Sequence, residues 1–73
     1  MKGYAMTSSE AINIAKEIIE EFESWAYDAD ITAELYKAKN EEALVSHYYD
    51  YAAYNRRKAE AIRVVLDCIS EKF

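Results

Sequence analysis

The chain has 73 residues, fourteen acidic against nine basic side chains and a net charge of −5, so it forms one small domain, 1–73, in which folding hides only about 60% of the surface the unfolded chain exposes. Small domains supplement such a core with disulfides, a metal or self-association, but Cys68 is the lone cysteine and His47 the lone histidine, too few for an internal disulfide or for the roughly four ligands of a structural zinc site. Self-association is what remains, and the acidic balance repels nucleic acid and membrane surfaces.

The N-terminal residues Met1–Met6 read as a short tail, too short and polar for a signal segment. No apolar run reaches the roughly 20 residues that span a bilayer. With a single thiol, these features fit the reducing cytoplasm.

Thr7-Ser8-Ser9-Glu10 carries the capping-box pattern, in which a Thr side chain accepts from the backbone three residues on and a Glu reaches back. It predicts a helix beginning at about residue 8. Beyond it there is no proline, and the only glycine is Gly3, so the strongest turn signals are missing from residue 4 onward. Apolar and small residues recur at Ile12, Ala15, Ile19, Phe22, Ala26, Ala29, Ala33 and Tyr36, spaced alternately by three and four. This is a heptad seam.

The segment Lys37-Ala38-Lys39-Asn40-Glu41-Glu42 supplies lysines for a helix C-terminus, an Asn that can cap and two glutamates for the next N-terminus. It predicts helices at about 8–38 and 41–72 with a turn at 38–41. A competing break lies at Asp28-Ala29-Asp30, where Asp30 can cap a third helix and Ile31-Thr32 are weak helix formers. A second seam runs through Val45, Tyr48, Ala52, Asn55, Ala59, Ile62, Leu66, Ile69 and Phe73.

The expected fold is all-α, a long antiparallel helical hairpin. Facing the seams about Asn40 pairs residues whose numbers add to about 81. Large then meets small, as in Phe22 with Ala59 and Ala33 with Tyr48, which is how facing layers interdigitate. Asn55 enters opposite Ala26 as a polar residue that fixes register.

The two flanks of the seam differ. Lys16, Glu23, Asp30 and Lys37 with Arg56, Arg63 and Ser70 make a charged flank, including an expected Glu23–Arg56 pair. Ala11, Ile14, Ile18 and Trp25 with Leu44, Tyr51, Tyr54, Val65 and Cys68 make an apolar flank, with Lys58 placed to stack on Trp25. An open apolar surface of several hundred Å² marks an interaction site, and Trp and Tyr dominate binding hot spots. A second copy covering it gives a dimeric four-helix bundle; a target protein is the other occupant.

Chemistry has little to draw on. His47 has no acid–base partner unit, the Glu-x-x-His pattern of di-iron bundles is absent, and Cys68 near a helix C-terminus reads as a small apolar contact rather than a nucleophile. Neither an enzyme nor a cofactor is expected. Arg56, Arg57 and Arg63 form the one basic cluster and are candidate anion contacts, although successive helix positions point apart. Glu10, Glu17, Glu21 and Asp28 form an acidic row that reads as a solvated face or as a mimic of a phosphate backbone. Within Tyr48-Tyr49-Asp50-Tyr51-Ala52-Ala53-Tyr54, Tyr49 and Tyr54 exceed what a seam needs and offer hydroxyls and rings to a partner.

The layout resembles two-helix hairpin proteins that dimerise into four-helix bundles, such as the plasmid copy-number regulators that bind RNA, in architecture and in no residue motif. In size, acidity and lack of catalytic groups it also resembles the small inhibitors that phages encode against host enzymes or defence systems. The expected function is a homodimeric protein-interaction module, an adaptor or inhibitor of a protein target. The alternative is a nucleic-acid-linked regulator working through the basic cluster or the acidic row.

Overall fold

A computed structural model describes residues 6–72, with side chains described through residue 69. The remaining tail positions, Phe73 of the second seam and the side chain of Ser70 lie outside the described residues. The chain forms two helices, α1 (Ser8–Ala38) and α2 (Glu42–Lys72), packed antiparallel as a hairpin. No strand occurs among the described residues.

α1 starts where the capping box places it. The Glu10 N–H donates to Thr7 Oγ1 at 3.1 Å, and the Thr7 N–H donates to Glu10 Oε1 at 2.9 Å, so two backbone donors that a helix start leaves open are satisfied reciprocally. The helix then runs unbroken through Asp28–Asp30. The competing break is absent: Ala29 and Ala33 are buried against α2 on either side of it, the Thr32 hydroxyl is satisfied within the helix by the Asp28 carbonyl at 2.9 Å, and Asp30 is engaged by Arg56 instead of capping.

The turn closes as a Schellman motif. Asn40 takes φ 60°; its N–H donates to the Lys37 carbonyl and that of Glu41 to the Tyr36 carbonyl, both at 3.1 Å. After Gly, Asn is the residue best suited to this left-handed position, so Asn40 caps the end of α1. The Glu41 carbonyl accepts from Leu44 and Val45, which starts α2 at Glu42, one residue later than the expected 41.

Both seams face inward over the described residues, every member being buried or half-buried. The middle is made of small residues: Ala26, Ala29, Ala33, Ala52 and Ala59 are almost inaccessible, and Tyr48 packs against the Ala26–Ala29–Ala52 cluster. Alanine on both sides lets two backbones approach closely, which leaves the hairpin thin, 53 × 26 × 14 Å. Asn55 is buried among them and donates through Nδ2 to the Tyr51 carbonyl at 3.1 Å. That bond lies within α2, so Asn55 is satisfied without reaching α1, and the expected register role gains no cross-helix hydrogen bond.

The expected Glu23–Arg56 pair is corrected. Arg56 pairs with Asp30, and Arg63 with Glu23. Side chains lean toward the N-terminus of their own helix. In an antiparallel pair, Asp30 and Arg56 therefore lean toward each other, as do Glu23 and Arg63, whereas Glu23 and Arg56 lean apart. Lys58 is corrected too: its ammonium lies 4.2 Å from the Tyr54 ring centre and 5.2 Å from that of Phe22. Trp25 meets Phe22 edge to face at 5.4 Å.

Candidate protein-binding flanks

The candidate surface is built from the positions beside the seam. On the apolar flank α1 contributes Ile14, Ile18 and Trp25, and α2 contributes Tyr51, Tyr54, Val65 and Cys68. All of these are exposed except Ile18, which is half-buried. Trp25 and Tyr51 each keep 46% of their surface open, and Tyr54 keeps 54%. These large rings stand open beside a mid-hairpin core that is mostly alanine.

Two grooves run along this flank. One, of about 340 Å³, lies toward the open end between Ala11, Ile12, Ala15, Ile62, Val65 and Leu66. The other, of about 200 Å³, is mid-hairpin between Trp25, Asp28, Ala29, Thr32, Tyr48 and Tyr51. Cys68, expected as a small apolar contact, is an exposed free thiol in the single hairpin. His47 is exposed and meets the Tyr48 ring edge to face at 5.1 Å.

Tyr49 belongs to the other side of the molecule. Its hydroxyl donates to the Glu34 carboxylate. That hydrogen bond, then burial, then the negative charges of Glu34 and Asp30 push its ionisation above the ordinary phenol range. Tyr49 and Tyr54 are thus not one patch: Tyr49 anchors the turn end of the charged flank, and Tyr54 lies under Lys58 on the apolar one.

The basic cluster is largely spoken for. Donating to Asp30 and Glu23 raises the Arg56 and Arg63 pKa values above the ordinary guanidinium value, and both guanidiniums are paired within the hairpin while staying about half exposed. Arg57 points outward by itself. The three arginines therefore do not converge on one anion. The acidic row is exposed along α1, and among the described residues Glu17, Glu21 and Asp28 make no ion pair. Glu10 is occupied by its capping box, whose bonds from Thr7 hold the carboxyl below the ordinary glutamate range. No group of three or more His, Cys, Asp or Glu suited to a metal ion occurs among the described residues, and no helix is long and apolar enough to cross a membrane.

No match was found. Neither family models, curated proteins nor solved structures resemble this chain, so its function is argued from its own surface.

One surface escaped the seam-and-flank reading. Tyr27, Ile31 and Leu35 lie on the outer side of α1 and are 64%, 45% and 61% exposed. Their i, i+4, i+8 spacing is the signal that identifies them in the sequence, because it sets three large apolar residues in one row away from the seam.

Proposed function

We propose that this chain is a protein-interaction module that works as a homodimer in the cytoplasm, its apolar flank packed against a second copy in a four-helix bundle, and that it serves as an adaptor or inhibitor of a protein target. The observation that carries this reading is the open flank of Trp25, Tyr51 and Tyr54. The surface of the hairpin supports it: 5632 Å² is accessible, against about 4,700 Å² for a compact monomer of 8.5 kDa. The excess, on the order of 1,000 Å², compares with the roughly 800 Å² that each partner buries in a standard interface.

The nucleic-acid reading has less support, since Arg56 and Arg63 are engaged by Asp30 and Glu23.

Trp25→Asp tests the reading. It puts a charge at the centre of the flank, and the expected outcome is a monomer with a lower Tm; full retention of dimer and Tm refutes the assignment of this flank. Salt-sensitive binding of RNA or DNA that is lost on changing Arg56, Arg57 and Arg63 is the result that supports the regulator instead.

A further inference from the structure

The outer side of α1 carries a second surface that the dimer leaves uncovered. Tyr27, Ile31 and Leu35 form a row about 12 Å long, more exposed on average than the flank aromatics. Tyr27 borders a groove with Glu23, Arg56, Glu60 and Arg63 on the charged side, where both arginines are paired, and Ile31 and Leu35 follow it at helical spacing away from the seam, so neither the seam nor the apolar flank accounts for the row. A helix with apolar residues on its outer side as well as its inner one is built to be covered on both.

Its electrostatic frame identifies the cover. Between Lys16 and Lys37, α1 holds seven carboxylates and no basic residue. Glu23, Asp30 and Glu34 are engaged by Arg63, Arg56 and Tyr49. Glu17, Glu20, Glu21 and Asp28 are exposed and make no ion pair among the described residues. Asp28 and Glu34 border the apolar row on its two sides, and Glu17, Glu20 and Glu21 continue it toward the N-terminus. A second copy of this acidic face is repelled by the frame, as is an anionic membrane or nucleic acid.

We infer that the outer face of α1 docks a basic amphipathic helix of a partner protein, whose apolar stripe covers Tyr27, Ile31 and Leu35 and whose Lys or Arg residues meet Asp28 and the Glu17–Glu21 carboxylates. Helix-on-helix recognition reads anchors at i, i+4 and i+8, and complementary charge sets register and selects against acidic partners. This goes beyond the protein-binding reading above, because it names a different surface and the chemistry of its partner.

The test uses two labelled synthetic helical peptides that share one apolar face, the first flanked by Lys and Arg and the second with those residues exchanged for Glu. Binding to the full chain is followed by fluorescence anisotropy at physiological salt. The basic peptide binds, and the exchanged one binds at least about tenfold more weakly. Ile31→Asp and Leu35→Asp each weaken the basic peptide by roughly tenfold or more, although each adds negative charge; both sites are exposed, and unchanged helical circular dichroism confirms the fold. Glu20→Lys with Glu21→Lys weakens it as well. Trp25→Asp, on the other flank, leaves peptide binding within about twofold at a temperature where its circular dichroism stays helical, dimer or monomer, which separates this inference from the dimer reading. No binding of the basic peptide, or equal or tighter binding by Ile31→Asp and Leu35→Asp, overturns it, the latter by reducing the interaction to plain charge attraction. Loss of the dimer in Ile31→Asp also overturns it, since a second copy then occupies the row.

Discussion

Asn40 shows how one residue decides where a chain without proline or internal glycine reverses. At φ 60° an ordinary L-residue is disfavoured by about 1–2 kcal/mol, and Asn tolerates the position better than most. Asn40→Val is expected to destabilise by about that amount, and Asn40→Gly to raise Tm slightly, in thermal melts at one protein concentration. Glu10 works at the other end of α1. Its pKa is lowered by Thr7, so its contribution is complete above the ordinary glutamate pKa and disappears as pH falls through the lowered value. NMR of the Glu10 amide should show the first turn fraying only in acid below the ordinary range. Thr7→Ala should cost about 1 kcal/mol and move the Glu10 titration only part of the way back, because the residue 7 N–H still donates to the carboxylate. Tyr49 has the opposite sign: with its pKa raised by Glu34, the stabilisation is complete below the ordinary phenol value and is lost as pH rises through the raised one. In Glu34→Gln, the tyrosinate absorbance of Tyr49, isolated by difference from Tyr49→Phe, should appear at lower pH.

At the scale of the helices, what was legible in the sequence was whatever depends on periodicity. The three-four spacing located both seams, and the turn followed from the residues between them. Side-chain lean was not visible in a list of flank positions, and this is why Glu23 was matched to Arg56 when the antiparallel geometry draws Arg56 to Asp30 and Arg63 to Glu23. Double-mutant cycles should find coupling in the two observed pairs, weakening with salt as exposed ion pairs do, and none between Glu23 and Arg56. Coupling confined to Glu23–Arg56 would contradict the register. The break at Asp28–Asp30 is favoured by intrinsic propensity and lost to context, through the burial of Ala29 and Ala33 against α2 and the pull of Arg56 on Asp30. The Tyr27–Ile31–Leu35 row was legible in principle. A heptad seam assigns the outer face of a helix to solvent by default, so seam periodicity carries no signal for this row.

For the whole molecule the governing fact is the mismatch between core and surface. The centre of the hairpin is alanine and one satisfied asparagine, while tryptophan, tyrosines, valines and isoleucines sit outside it. Its radius of gyration is 16.7 Å, against about 11 Å for a compact domain of this length. A thin two-helix layer buries little by itself, and in the proposed dimer its stability depends on the second copy, which brings protomer concentration into the folding equilibrium. The most direct test is therefore light scattering on the purified chain, with thermal melts across a hundredfold range of concentration. The account predicts twice the 8.5 kDa chain mass and a Tm that rises with concentration; a well-behaved 8.5 kDa monomer with a constant Tm would contradict it.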